Sequence, residues 1–225
     1  MDLSKLKINF LGDSITEGAG ASVYENCYVK LVEKRLGAVC LNYGIGGTRL
    51  AKQHKPSAEP IYDKDFCSRI TEMEQDSNVI CVFGGTNDFG HGDAEIGTID
   101  DRTPETFYGA LHYLYSNLIN KYPDSFIFVI TPLHRVDENN PKGEGNKKKD
   151  GPLLREYVHI IKEVAEYYSL PVLDLFANSG IYPVNELHKQ KYTIDGLHPN
   201  DLGHNIVSNM IIEFIEKNIK YRTIN

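Results

Sequence analysis

Lys5-Leu-Lys-Ile-Asn-Phe-Leu11 runs straight into Gly12-Asp13-Ser14-Ile15-Thr16-Glu17-Gly18. The first stretch is a short apolar run that ends on a turn signal, the pattern of a buried β-strand. A serine where such a strand gives way to a loop or helix stands where open α/β sheets place their ligands. Backbone N–H groups at that point are also disposed to stabilise an anion. Outward from this segment, short apolar stretches alternate with helical patterns. Strands are expected at 6–11, 38–41, 78–83, 125–130 and 171–173. Helices are expected at 28–36, with Val29, Val32 and Leu36 on one face, and at 153–168. A third is expected at 104–122, with Thr103 as cap, Pro104 in the first turn, and Phe107, Leu111, Leu114 and Leu118 as its stripe. A last helix, 200–219, should turn Ile206, Met210, Ile211 and Phe214 inward. Near-continuously apolar strands alternating with helices argue for a parallel sheet covered on both faces. Right-handed crossovers then give a three-layer α/β/α sandwich.

The long polar stretches, 44–65, 84–103, 131–152 and 174–198, all follow strands. In a parallel sheet they emerge at one edge, above Ser14, and loops of this length are usually functional. Three of them carry chemistry-bearing residues: Asn42-Tyr-Gly44-Ile-Gly46-Gly47-Thr48, Gly84-Gly85-Thr86-Asn87-Asp88, and Asp195-Gly-Leu-His198. Each segment alone is an ordinary turn. Together they supply a nucleophile (Ser14), a base (His198), a group to orient that base (Asp195), and donors for an oxyanion, which is what acyl transfer needs.

On these blocks the chain resembles the SGNH hydrolases, also called the GDSL esterase/lipase family. Gly12-Asp13-Ser14-Ile15, Asn42-x-Gly44-x-x-Gly47, Gly85-x-Asn87-Asp88 and Asp195-x-x-His198 follow in the family's order and span nearly the whole chain. Ile15 stands where the family's nickname has leucine, an apolar exchange. The resemblance implies a flavodoxin-like five-stranded parallel sheet of order 2-1-3-4-5. It implies Ser14, Asp195 and His198 as catalytic triad and an oxyanion hole of the Ser14 amide, Gly47 and Asn87. The sequence has no His-Glu-x-x-His or paired-His spacing, so no metal or other cofactor is expected. The Gly-x-Ser-x-Gly elbow of the α/β-hydrolases is missing, since Thr16 holds its last position.

Length and charge narrow the partners. The 225 residues fit a single catalytic domain, 1–225. A net charge of -7 disfavours nucleic acid. The one basic run, Lys147-Lys148-Lys149, reads as a solvated loop. No stretch approaches the ~20 apolar residues of a membrane span. No secretory leader is legible before the first strand, so a cytoplasmic location is expected. Cys27, Cys40, Cys67 and Cys81 show no metal spacing; Cys40 and Cys81 should pack as small hydrophobes, with no disulfide.

Two other classes compete. A phosphate- or nucleotide-binding module of flavodoxin type lacks a lysine near Ser14 and carries Asp13 and Glu17 there instead. A metal-dependent hydrolase would have to gather Asp13, Asn87, Asp88, His91, Asp195 and His198; hydrogen bonding within the loops is the plainer role for Asp13 and Asp88. His91 and His134 are candidates for substrate contact, whereas His112 and His159 are expected to be exposed. The strand-edge loops are mostly polar, which favours a short acyl group, acetyl first, on a polar alcohol such as a carbohydrate. Ile181, Tyr182, Val184 and Leu187 would add a small apolar wall. Lysophospholipases and acyl-thioesterases are the alternative that the same family admits. The oligomeric state is not legible.

Overall fold

The structure, a computed structural model, describes residues 2–220. Five strands, β1 (Lys7–Gly12), β2 (Val39–Gly44), β3 (Val79–Phe83), β4 (Phe126–Ile130) and β5 (Val172–Leu173), form one sheet of order 2-1-3-4-5. Every pairing is parallel. The helices are α1 (Ser14–Glu17), α2 (Tyr28–Leu36), α3 (Phe66–Arg69), α4 (Thr86–His91), α5 (Phe107–Lys121), α6 (Leu154–Tyr167), α7 (Leu175–Asn178), α8 (Glu186–Tyr192) and α9 (Asp201–Ile219).

Strand side chains alternate between two cores, as the period of two requires. Ile8, Phe10, Val79, Cys81, Phe83, Phe126, Phe128 and Ile130 face α2 and α9. Leu11, Ile80, Val82, Ile127 and Val129 face α3, α5 and α6. The one polar residue buried within β1, Asn9, is satisfied: its amide donates to the Glu74 carbonyl at 2.9 Å and its Oδ1 accepts from Ser77 at 2.8 Å. Among the described residues no helix is long and apolar enough to cross a membrane.

The sheet order is the one expected, with several local differences. Strand β2 continues through Asn42, Tyr43 and Gly44, so that motif ends a strand instead of following one. Helix α5 begins at Phe107, not at Pro104. Thr106 caps it, its side chain accepting from the Gly109 N–H. Residues 103–105 form a turn before it, with Phe107 N donating to the Glu95 carbonyl and Lys52 N to that of Pro104. The expected stripe Phe107, Leu111, Leu114 and Leu118 is fully buried. In α9 the deepest positions are Val207, Ile211, Ile215 and Ile219, while Ile206, Met210 and Phe214 pack only partly against them. The expected inward face is therefore rotated by about a quarter-turn.

Two polar side chains are not solvated as expected. His112 is buried against Tyr167 and Tyr168, its Nδ1 3.1 Å from the Tyr168 hydroxyl; His159 is exposed. Lys147 leaves its basic run to lie over the rings of Phe89 and Tyr157, and its Nζ donates to the Asp88 carbonyl at 3.2 Å. Burial pushes its amine below the ordinary lysine range. Its long apolar stem and the aromatic faces explain how a lysine settles there. All four cysteines are free thiols; Cys81 is buried and Cys40 half-buried.

Candidate active site

β1 ends at Gly12, and Asp13 caps the short helix that follows, its Oδ1 accepting from the Ile15 N–H at 3.0 Å. That cap sets Ser14 in the first turn of α1, at the carboxyl end of a central strand. β2 closes on the same turn. A Cβ on Gly44 would lie 2.1 Å from the Glu17 nitrogen, so only glycine lets the strand approach so near.

The closing loop brings its acid and imidazole to this serine. Ser14 Oγ lies 3.0 Å from His198 Nε2, across 184 residues of sequence. His198 Nδ1 lies 2.6 Å from Asp195 Oδ2. The other Asp195 oxygen accepts the backbone N–H groups of Leu197 at 2.9 Å and His198 at 2.8 Å. Partial burial acts to raise the Asp195 carboxyl, but the hydrogen bonds from His198 and the backbone outweigh it and hold the group below the usual range. With an ionised Asp195 accepting from Nδ1–H, the Nε2 lone pair is left facing the serine hydroxyl. Gly196, at φ +90°, makes the tight Asp-x-x-His turn, and the antiparallel bridge between Thr193 and Pro199 closes its base.

Three N–H donors named by the motifs are held as follows. The Ser14 N–H belongs to the first turn of α1, which has no intrahelical acceptor. Gly47 takes a left-handed conformation at φ +72°, on a loop held by a bond from Gly46 N to Glu17 Oε2 at 3.0 Å. Asn87, buried in the first turn of α4, donates one amide proton to the Thr48 carbonyl at 2.9 Å and keeps a second. Thr48 is gripped in turn by Arg69, whose guanidinium also reaches the carbonyls of Tyr43 and Gly12.

The acidic residues of these motifs act within the loops. Asp88 accepts the Leu50 and Ala51 N–H groups at 3.0 and 2.9 Å. Asp13 Oδ1 accepts from the Ile15 N–H at the cap, and burial raises its carboxyl to about 6. Among the described residues no three His, Cys, Asp or Glu side chains are grouped so as to hold a metal ion.

Residues 10–206 match the GDSL-like lipase/acylhydrolase family. The chain belongs to that family. Among solved structures, a protein from Lactobacillus plantarum is 25% identical at a TM-score of 0.82, over 95% of this chain and 98% of that one. The lipase/acylhydrolase from Enterococcus faecalis shares the fold at 21% identity and a TM-score of 0.66, over 94% and 96% of the two chains. So does an acetyl xylan esterase, at 22% identity and a TM-score of 0.62, over 93% of this chain and all of that one. No curated protein matches.

Beside Gly47 this GDSL-like hydrolase carries an open cleft of about 630 Å³, lined by Glu17, Ile45, Gly46, Gly47, Arg49, Ser57, Ile61, Tyr62 and His91. His91 lines this cleft, with Nε2 3.2 Å from the Gly47 carbonyl. His134 is not among the residues lining this cleft; it packs on Phe176 with its Nδ1 2.7 Å from Glu138. The apolar part of the cleft comes from Ile45, Ile61 and Tyr62. Ile181 lies in the core instead, and Tyr182, Val184 and Leu187 are exposed outside the cleft lining. Sequence reasoning missed Glu17, Arg49 and Tyr62. Arg49 follows the glycine pair by only two positions, and a charge so close to a tight turn was the available signal. Tyr62 lies in a polar loop and gave none.

Proposed function

We propose that the protein is a serine esterase that removes short acyl groups, acetyl first, from polar alcohols such as those of carbohydrates. The observation that carries this is the continuous line of hydrogen-bonding atoms, Ser14 Oγ to His198 Nε2 at 3.0 Å and His198 Nδ1 to Asp195 Oδ2 at 2.6 Å. In this reading Ser14 Oγ bonds to the ester carbonyl carbon as its proton passes to His198 Nε2. The carbonyl oxygen becomes an oxyanion, received by the Ser14 and Gly47 N–H groups and the free Asn87 amide proton. Asp195 stabilises the imidazolium without taking its proton. The ester C–O bond then breaks, His198 returns the proton to the departing alcohol, and water repeats the sequence on the acyl-enzyme to release the acid. No step calls on a metal or other cofactor, and residues 1–225 would act as one catalytic domain.

The short-acyl preference rests on the make-up of the cleft. Glu17, Arg49, Ser57 and His91 share the cleft beside Gly47 with Ile45, Ile61 and Tyr62. The strand-edge loops around it are mostly polar and offer few large aliphatics to a long acyl chain. The activity in the name of the acetyl xylan esterase, which shares the fold, agrees with this choice.

The test is a series of p-nitrophenyl esters from C2 to C8, run with and without EDTA and beside acetylated xylo-oligosaccharides. Each buried CH₂ contributes about 0.8 kcal/mol, so a lipid site would raise kcat/KM steeply along the series. The expected result is a maximum at C2, unaffected by chelator, with release of acetate from the oligosaccharide. A continuous rise to C8 would replace this reading by a lysophospholipase or acyl-thioesterase.

A further inference from the structure

His91 meets an acceptor on both sides of its ring. Nε2 stands 3.2 Å from the Gly47 carbonyl, and Nδ1 stands 3.4 Å from Glu144 Oε2. A carbonyl and a carboxylate both only accept, so the two contacts are hydrogen bonds together when both ring nitrogens carry protons, Nε2–H toward Gly47 and Nδ1–H toward Glu144. The other Glu144 oxygen accepts from Arg135 Nη2 at 2.9 Å. Arg135 is buried and fixed in turn by the backbone carbonyl and hydroxyl of Thr86, the residue before Asn87. The three side chains come from two separate strand-edge loops, and none is needed for the proton transfers described above.

The backbone is shaped to admit this line. A Cβ on Gly90 would fall 2.8 Å from Arg135 Nη1 and 2.9 Å from Glu144 Oε1. Gly143, at φ +58°, lets the 131–152 loop pass over α4, where a Cβ would lie 2.2 Å from the Gly90 carbonyl. Glu144 N donates to that same Gly90 carbonyl at 2.9 Å. The His91 and Arg135 bonds hold the Glu144 carboxyl down at about 2, so it stays an acceptor at any working pH.

The target is the oxyanion loop. The Gly47 carbonyl receives a second donor, Arg49 Nη1, at 3.1 Å. One residue earlier, the Gly46 N–H is held by Glu17. The peptide between these two anchors carries the Gly47 N–H. Gly47, a glycine at positive φ, has no side chain of its own to fix that peptide, so its direction depends on the anchors at either end.

We propose that His91, braced by Glu144 and Arg135, is a positioning residue that aims the Gly47 N–H at the oxyanion. The proposal rests on the esterase reading of the site. A pre-aimed donor acts on the transition state, where charge develops, and so moves kcat more than KM. A substrate-contacting histidine would behave differently, affecting bulky alcohols most and mainly through KM.

The test compares wild type with His91→Ala, His91→Gln and Glu144→Gln on p-nitrophenyl acetate and on an acetylated xylo-oligosaccharide, with Ser14→Ala alongside. His91→Ala should lower kcat about tenfold or more on both esters by the same factor, with KM within about twofold, since full loss of an oxyanion donor costs about 10²–10³. His91→Gln should recover most of kcat, because its amide can donate to the Gly47 carbonyl. Glu144→Gln, which keeps the shape, should lower kcat by about threefold or more with KM unchanged, and it carries the test if His91→Ala does not fold by thermal melting. Three results overturn the proposal: a folded His91→Ala protein with kcat within twofold of wild type, a loss confined to KM of the oligosaccharide, or wild-type kcat in Glu144→Gln. Turnover surviving in Ser14→Ala would instead refute the triad, whatever His91 does.

Discussion

Asp195 and His198 sit three residues apart on one turn, with side chains 45% and 22% exposed, whereas Asn87 and Asp88 are 3% and 4% exposed at the start of α4. The two halves of the site thus face water very differently. In the proposed triad the acid–base half needs little burial, because its geometry is local: Asp195 Oδ1 binds the backbone of its own turn and Oδ2 binds the imidazole. The donor half has no such local solution. Gly47 and Asn87 lie 40 residues apart on different loops, and their relative placement is set by Asn87 to Thr48, Asp88 to Leu50 and Ala51, and Arg69 to Thr48. An oxyanion hole stabilises charge only if its dipoles are already aimed, and buried, fully satisfied polar networks supply that rigidity. Exposure suits a base that must exchange protons with alcohol and water.

Replacing Asn87 by alanine breaks the buried half directly. It removes both the free donor and the tie to Thr48, so kcat on p-nitrophenyl acetate should fall by about 10²–10³ with KM nearly unchanged. A large rise in KM at constant kcat would mean that Asn87 merely binds substrate.

Asp13→Asn sharpens the comparison through stability. Burial raises the Asp13 carboxyl to about 6. An acid whose folded value lies above its unfolded one, about 4, contributes its full stability below pH 4 and loses it as pH rises through 6. Asparagine can keep the cap on Ile15 without ionising. Urea midpoints should therefore show Asp13→Asn more stable than wild type by about 1–3 kcal/mol at pH 7.5, with no difference at pH 4. An equal difference at both pH values would show that the substitution acts on packing and that ionisation of Asp13 is not the cause.

Much of this was legible before any coordinates. The strands announce themselves as near-continuous apolar runs because both sheet faces are covered, and Phe107, Leu111, Leu114 and Leu118 mark their helix by spacing alone. Sheet order and the pairing of Ser14 with His198, 184 residues away, came through the resemblance of four short motifs; composition and periodicity say nothing about them. Pro104 after Thr103 points to Thr103 as the cap, whereas the structure caps α5 with Thr106. Only the contacts of residues 104–107 with Lys52 and Glu95 choose the second. His112 and Lys147 read as surface residues because their partners, Tyr168, and Phe89 with Tyr157, lie on other elements. A polar side chain satisfied by a distant element leaves no periodic trace in its own segment. The cleft was invisible for the same reason, its walls being drawn from the 44–65 loop, α1 and α4.

Whether Ser14 is the nucleophile can be read in one step with a p-nitrophenyl phosphonate, which leaves a stable adduct on an activated serine. Mass spectrometry of the digested protein should find one phosphonyl group per chain, on the peptide holding Ser14, in step with loss of p-nitrophenyl acetate hydrolysis. Ser14→Ala should take no label and hydrolyse no ester, and His198→Ala should label far more slowly, since the serine loses its base. A label on another residue, or ester turnover persisting in a folded Ser14→Ala protein, would contradict the triad.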